Sequence, residues 1–268
     1  MVTGSAYGFN TSIDGTLLNI PPNPTYPTVQ VEMTIDQGAQ AGPVEMSESV
    51  ARMNLLGGGY LDFRRDGYVA NFVRPFAFIP GEIAHPFLSL VAVCLSKWLD
   101  RESFHAGGLI VQGKVWGVIG DKGMGKSSFL AAAAKEGLPV LTDDVLVIDG
   151  MTAFAGPRCV DLRAPAVDAL GLTAEVEVVR GDRWRYKVPP CPETSPLAGW
   201  IELAWGDLSI SRTPASVALK NLAAQAGWLI PPPDPKRLLD LASLPMYRLT
   251  RKPNWTFALD DLLDAISG

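Results

Sequence analysis

The sequence predicts an α/β fold in which a smaller β-rich unit precedes a domain built around a glycine-rich loop. Three observations support this prediction. Residues 120–127 read Gly-Asp-Lys-Gly-Met-Gly-Lys-Ser, the apolar run Lys114–Ile119 precedes them, and an alanine-rich run at 127–135 follows. A short apolar run is typical of a buried strand, and alanine is the strongest helix former. The order strand, glycine loop, helix is that of an α/β unit.

The glycine-rich stretch fits the pattern G-x-x-x-x-G-K-[ST] of a phosphate-binding P-loop. Its glycines let backbone N–H groups face phosphate oxygens, and the helix that follows adds a favourable dipole. We expect Lys126 to reach the β- and γ-phosphates and the Ser127 hydroxyl to bind Mg²⁺. The sequence therefore predicts a nucleotide and Mg²⁺ as cofactors, with ATP as the nucleotide and GTP as the alternative that stays open. The residues predicted to bind the nucleotide are Gly120, Lys122, Gly123, Met124, Gly125, Lys126, Ser127 and Ser128.

Composition restricts the class of protein. The chain has 268 residues, of which 47% are hydrophobic and 19% charged, enough for a sizeable core. A net charge of −5 with scattered cations argues against nucleic acid as a partner. Three cysteines and two histidines show no zinc-site spacing, which is typical of reduced thiols in a cytoplasmic protein. Because the sequence shows no secretory signal and no long apolar run, no membrane partner is expected. Whether the protein forms a homo-oligomer stays open.

Residues 1–100 are predicted to form the β-rich unit and a linking helix. Residues 1–26, rich in Gly, Asn and Pro, are expected to be irregular apart from one strand near 16–20. Thr28–Ile35 alternates apolar and polar residues, as a half-buried strand does. Strands at 60–65 and 68–73 flank Asp-Gly, a strong hairpin signal. Helical spacing over 85–98 predicts the helix that leads into the second domain, residues 101–268.

Two adjacent carboxylates, Asp143 and Asp144, separate two apolar strands that follow the glycine loop. Enzymes with a P-loop hold Mg²⁺ through a carboxylate at the end of a strand that neighbours the P-loop strand. A second carboxylate can accept the proton of an attacking hydroxyl, as a kinase requires. The simpler alternative is an Asp-Asp turn between strands, which the preceding loop disfavours. The pair is therefore predicted to share the base and metal roles.

These motifs, in this order, resemble the catalytic domain of the HPr kinase/phosphorylase superfamily, and in particular its smaller kinase-like members. The resemblance covers residues 100–265 and rests on the His-Ala-Gly-Gly stretch 105–108, the P-loop and the paired aspartates. Residues 245–251 also resemble the terminal strand of the kinase-like members. The resemblance implies the P-loop kinase fold that this superfamily shares with phosphoenolpyruvate carboxykinase. It also implies transfer of a γ-phosphoryl group to a hydroxyl, for which a serine is the usual acceptor.

The resemblance assigns roles by position. His105 would be the active-site histidine beside the acidic pair, and the negative charge of the two carboxylates and of a triphosphate should favour its protonated form. Asp161 would stand for a metal-proximal glutamate, and Arg163 would steady the charge of the phosphate. The predicted catalytic residues are thus His105, Asp143, Asp144 and Arg163. The predicted metal ligands are Ser127, Asp144 and Asp161.

The densest basic run, residues 180–189, has aromatic residues between its cations. A nucleic-acid patch is disfavoured because the run is short and the protein is acidic. A solvated hairpin and a phosphate clamp formed by Arg183, Arg185 and Lys187 both stay open.

The sequence as a whole favours an ATP-dependent, Mg²⁺-requiring kinase whose acceptor is a serine of a peptide or protein. A kinase for a small molecule with a hydroxyl is the nearest alternative. A nucleotide-sensing binding module with weak ATPase activity is an alternative from another class, although binding alone would not require a base. A GTPase is disfavoured because no Asn-Lys-x-Asp motif follows Asp144.

Overall fold

The computed structural model describes residues 4–13, 17–18, 20–226 and 233–267, apart from the side chain of Arg180. These residues form a mixed α/β structure with three sheets. Among the helices that can be described in these ranges, none is both long and apolar enough to cross a bilayer.

The first sheet has seven strands, which pair in the order β1-β2-β3-β7-β6-β5-β4. They are β1 (Gly4–Ala6), β2 (Phe9–Thr11), β3 (Thr28–Ile35), β4 (Glu45–Met46), β5 (Val50–Asn54), β6 (Tyr60–Arg64) and β7 (Val69–Arg74). The predicted strand over 28–35 and the hairpin around Asp66 are confirmed. The expectation of an irregular start is wrong, because β1 and β2 are fully buried strands. The strand expected near 16–20 includes positions outside the described residues.

The linking helix α1 (Leu88–Trp98) begins three residues later than the spacing predicts. Pro86 lacks an N–H group for helical pairing, and the preceding residue is extended, with φ −154° and ψ 127° at His85. As a result, His85 does not take a place on the helix. It lies buried in the irregular segment Ile83–Phe87.

The second sheet has nine strands. Seven follow the order β11-β9-β10-β17-β13-β12-β8, and β19 pairs with both β17 and β18. The strands that follow α1 are β8 (Glu102–Phe104), β9 (Gly107–Val111), β10 (Lys114–Ile119), β11 (Val140–Thr142), β12 (Leu146–Asp149), β13 (Thr152–Phe154), β14 (Cys159–Arg163), β15 (Val176–Arg180), β16 (Arg183–Lys187), β17 (Thr194–Trp205), β18 (Ser209–Arg212) and β19 (Met246–Arg251). Strands β14, β16 and β15 form a separate small sheet, so residues 180–189 lie in a hairpin.

One edge of the second sheet collects the ends of several strands. Strand β10 runs parallel to β17, and β17 runs parallel to β19. Strand β9 is antiparallel to both β10 and β11, so β11 points in the same direction as β10. The expectation that the acidic strand neighbours the P-loop strand is therefore wrong, because β9 lies between them. Parallel strands nevertheless bring their carboxyl ends to a common edge, the usual place for a ligand in an α/β sheet.

The remaining helices are α2 (Lys126–Lys135), α3 (Ala164–Leu170), α4 (Ala215–Gln225), α5 (Pro235–Ala242) and α6 (Leu259–Ser267). The helix expected over the alanine-rich run 127–135 is thus present as α2. Apolar residues also recur at helical spacing over 214–228, 234–244 and 256–266, where α4, α5 and α6 lie, although Trp228 lies outside the described residues. The hydrophobic core of the first sheet continues into the second, because Val145 and Val147 belong to the same buried cluster as Phe72 and Leu88. The division into domains 1–100 and 101–268 stays a prediction.

Candidate functional site

The glycine loop joins the end of β10 to the start of α2. Gly125, directly before the helix, has a left-handed backbone with φ 77° and ψ 34°. A Cβ atom at this position would lie 2.9 Å from a guanidinium nitrogen of Arg251. Both the backbone angle and this close approach require glycine here. The loop is therefore closely packed against a cation on β19.

Lys126 is the first residue of α2, and its side chain turns back over the loop. Its Nζ atom donates a hydrogen bond to the carbonyl of Gly120, at 2.6 Å. Burial lowers the pKa of Lys126, against the opposing effect of Asp143 and Asp144. The ammonium group thus lies in a partly desolvated position at the mouth of the loop, where further negative charge would stabilise it.

The acidic pair lies next to the start of α2. The Ser127 hydroxyl donates a hydrogen bond to the carboxylate of Asp143, at 3.2 Å. Asp143 is buried, with 5% of its surface exposed, whereas the side chain of Asp144 is 30% exposed. Asp144 has a left-handed backbone, with φ 71°, so the two neighbouring carboxylates do not share one environment. Burial raises the pKa of Asp143 to about 6, although His85 and the hydrogen bond from Ser127 oppose this.

Two glycines in β9 explain how Ser127 can reach Asp143 although a strand separates β10 from β11. A Cβ atom at Gly107 would lie 2.4 Å from the Leu130 side chain of α2. At Gly108 it would lie 3.1 Å from the side chain of Leu141. The missing side chain at Gly107 lets α2 pack directly against β9, and the one at Gly108 lets Leu141 of β11 lie close to β9. The glycines of the His-Ala-Gly-Gly stretch therefore have a packing role.

His105 lies beside Asp144, at the end of β9 that faces the loop. Its Nδ1 atom is 3.0 Å from the Asp144 carbonyl and 3.5 Å from the carboxylate. A carbonyl only accepts hydrogen bonds, so Nδ1 carries the hydrogen of this bond. Burial and then the charge of Lys126 lower the pKa of His105, although Asp144 opposes them. The carboxylates alone therefore do not favour the protonated form, and the expectation for His105 beside a triphosphate stays a prediction.

Asp161 and Arg163 both belong to β14, but they lie in different surroundings. Both carboxylate oxygens of Asp161 accept hydrogen bonds from the Arg185 guanidinium, at 2.8 and 2.9 Å. Arg163 is 62% exposed, and its Nε atom is 3.6 Å from Asp182 in the turn of the basic hairpin. The structure therefore brings Asp161 into a buried ion pair and leaves Arg163 at the surface.

His85 was not among the candidates from sequence. It is buried, with Nε2 3.8 Å from the carboxylate of Asp161, and its electrostatic effect opposes the rise in the pKa of Asp143. Its carbonyl accepts a hydrogen bond from Arg185 at 2.7 Å. The first 100 residues therefore supply a side chain that lies between two buried carboxylates of the second part. The only signal in the sequence was that His85 is one of two histidines.

The oxygen atoms of Ser127 and Asp143 form the part of the site that suits Mg²⁺. Within the described residues, no group of three His, Cys, Asp or Glu side chains is arranged to hold a metal. Mg²⁺ does not require such a group, because it is usually bound by one or two protein oxygens together with phosphates and water. A hydroxyl next to a buried carboxylate with a raised pKa therefore fits the ion.

No family model and no curated protein matches the sequence. Among solved structures, the chain is similar to the HPr(Ser) kinase/phosphatase from Coxiella burnetii, with 11% sequence identity and a TM-score of 0.32. The similarity covers 61% of this chain and 93% of that chain. A TM-score this low does not define a function, which has to be argued from the side chains of the site.

Proposed function

We propose that the protein is an ATP-dependent, Mg²⁺-requiring kinase that transfers the γ-phosphoryl group to a hydroxyl. A serine of a peptide or protein is the first class of acceptor to test. The observation that carries the proposal is the meeting of the glycine loop, Lys126 and the pair Asp143–Asp144 at one edge of the sheet. A phosphate loop alone binds a nucleotide, whereas a partly exposed carboxylate beside it provides a base.

The loop and the start of α2 would bind the phosphates. The first N–H groups of an α-helix have no partner within the helix, and its N-terminus carries partial positive charge. Lys126 adds a full charge, and its bond to the Gly120 carbonyl holds the ammonium group at the loop. A phosphate oxygen can take the place of that carbonyl at little cost, because it restores a charge-assisted hydrogen bond.

Ser127 and Asp143 would hold Mg²⁺, which would neutralise negative charge of the phosphates when it is bound. This keeps Ser127 but replaces Asp144 and Asp161, which the sequence also predicts as metal ligands, by Asp143. The hydrogen bond from Ser127 to Asp143 favours Asp143, and the two bonds from Arg185 occupy the oxygens of Asp161.

Asp144 would then accept the proton of the attacking hydroxyl. Its carboxylate is more exposed than that of Asp143, so an acceptor can reach it. The hydrogen bond from His105 to the Asp144 carbonyl holds this left-handed turn in place. His105 would therefore act as a positioning residue for the base.

The proposal is tested by binding and transfer measurements on matched variants. Wild-type protein should bind MgATP in calorimetry and move label from γ-labelled ATP, but not from α-labelled ATP, to serine peptides or small hydroxyl compounds. Lys126→Ala should lose both properties, whereas Lys114→Ala, an exposed lysine on β10, should keep them. Asp144→Asn should keep MgATP affinity within about threefold and lose about 10²–10⁴-fold in turnover.

Two results would contradict the proposal. The first is a wild-type protein that shows no binding of MgATP at millimolar concentration. The second is an Asp144→Asn variant with full turnover, since this would leave slow hydrolysis by a nucleotide-binding module as the better description.

A further inference from the structure

Arg251, the last residue of β19, lies directly beneath the glycine loop. It is 3% exposed, and its Nη2 atom donates a hydrogen bond to the Met124 carbonyl at 3.0 Å. Its guanidinium carbon is 4.3 Å from the ring centre of Trp205 and 5.1 Å from that of Phe257. The cation is thus enclosed by the loop on one side and by aromatic rings on others.

This buried charge is poorly compensated by the protein. No carboxylate of the described ranges forms an ion pair with Arg251, and its Nε atom has no hydrogen-bond partner there. Burial lowers the pKa of Arg251 to about 10, so the group remains charged at neutral pH. Aromatic faces attract a cation, but they replace only part of the hydration that a buried charge loses. A buried cation of this kind favours an anion nearby.

The loop backbone is shaped to accept the guanidinium. The absence of a side chain at Gly125 allows Nη2 to approach the backbone, where a Cβ atom would lie only 2.9 Å away. Trp205 and Arg251 are paired neighbours at the ends of parallel strands β17 and β19. Both strands end at the edge that carries the loop, so the register of the sheet fixes the cation beneath it. The Met124 carbonyl, which points to Arg251, has its partial negative charge neutralised there.

We infer that Arg251 is a positioning residue of the phosphate site. The phosphate groups of a bound nucleotide balance its charge, and its hydrogen bond to Met124 holds the loop in the conformation that binds them. This rests on the proposed function for the identity of the ligand. The inference restricts the ligand class further. Nucleoside di- and triphosphates should bind more tightly because of the charge of Arg251, whereas the affinity of a nucleoside should not depend on it.

The test compares Arg251→Met with Arg251→Lys, and uses Arg248→Met as a control on the same strand, where the side chain is 48% exposed. Melting temperature is measured without ligand, and affinity is measured for MgATP, MgADP, pyrophosphate and adenosine. Arg251→Met should melt at or above the wild-type temperature, because an uncompensated charge is removed. Its affinity for MgATP, MgADP and pyrophosphate should fall by about 10–100-fold, with no change for adenosine. Arg251→Lys should recover part of the phosphate affinity, and the control should match wild type.

A purely structural role gives the opposite pattern. If Arg251→Met fails to fold, or melts several degrees lower and binds phosphates normally per folded molecule, the inference is wrong. An unchanged affinity in a normally stable Arg251→Met variant also overturns it. Pyrophosphate separates this inference from the proposed function: a wild type that binds pyrophosphate through Arg251 but transfers nothing would contradict the kinase and support the role of Arg251.

Discussion

Two buried arginines mark the two regions that meet at the candidate site. Arg185 lies behind the acidic turn, is 2% exposed, and donates two hydrogen bonds to Asp161. It also donates to the carbonyls of Gly81 and His85. Arg251 lies behind the glycine loop with similar burial, but within the described residues its side chain donates only one hydrogen bond, to the Met124 carbonyl. The same side chain is thus fully paired in one region and almost unpaired in the other.

The difference indicates that the two regions serve different purposes. Around Arg185, the interacting residues come from both parts of the chain, and the charges of Arg185 and Asp161 balance each other. This region should therefore stabilise the fold. In the loop region, Lys126 and Arg251 both have a pKa lowered by burial, so binding of an anion should stabilise both. We therefore expect substitutions behind the acidic turn to change stability and those behind the loop to change binding.

The largest effect on stability should come from Arg185→Met. This variant removes the guanidinium that pairs with the buried carboxylate of Asp161, and loss of one member of a buried ion pair costs about 3–5 kcal/mol. Urea denaturation followed by circular dichroism measures the loss. Arg163→Met on the neighbouring strand is the control, because its exposed pair should contribute less than about 0.5 kcal/mol. Equal effects of Arg185→Met and Arg251→Met would remove the distinction between the two regions.

A smaller effect, of opposite sign, is expected from Asp143→Asn. The pKa of Asp143 is raised to about 6 in the folded protein, so the folded state binds this proton more tightly than the unfolded state. The contribution of Asp143 to the free energy of unfolding of the wild type therefore falls as the pH rises from about 4 to 6. At pH 7 the variant, which still accepts a hydrogen bond from Ser127, should be more stable by on the order of 1–3 kcal/mol.

The gain should disappear at about pH 3, below the pKa of both states, where the carboxyl of the wild type is protonated in the folded and in the unfolded protein. Denaturation curves of both proteins at about pH 3 and pH 7 measure it, with Asp207→Asn, which is 94% exposed, as the control. A constant difference between wild type and Asp143→Asn across this range would show that burial does not raise this pKa.

The smallest change in stability is expected from His105→Gln. Burial and Lys126 lower the pKa of His105, so the folded state resists its protonation. Wild-type stability from this group should be fully present above about pH 6.5 and fall as the solution becomes more acidic. The glutamine variant should lack this pH-dependent component. Its melting temperature relative to that of the wild type should therefore rise as the pH falls from about 7 to 5.5.

Turnover provides a second readout for His105. The amide of glutamine can still donate to the Asp144 carbonyl, so His105→Gln should retain more turnover than His105→Ala, with similar nucleotide affinity for both. Equal turnover in the two variants would remove the positioning role of the hydrogen bond. A melting-temperature difference of the reverse sign would mean that the protonated form is favoured after all.

The parts of the fold that were predicted well depend on neighbouring residues. Strand β3 and the hairpin of β6 and β7 follow from alternation and from Asp66-Gly67, which act over a few positions. Helix α1 was predicted three residues too long because helical spacing of apolar side chains continued into a segment that Pro86 interrupts. The buried strands β1 and β2 were missed because their short, partly polar sequences give no sign of burial. Other parts of the molecule cover them in the folded structure.

By itself, the sequence determined the strand, loop and helix around Gly125, because this local geometry depends on residues that are adjacent in the chain. It also placed Asp143 and Asp144 directly after a strand. Only the tertiary structure decided which of the two carboxylates meets Ser127, because the contact between α2 and Gly107 of β9 sets where Ser127 lies. It likewise decided that His85, Arg185 and Arg251 lie behind the site. These residues come from segments far apart in the chain, and single side chains in such segments have no local pattern. Their burial and pairing depend on strand register and long-range packing.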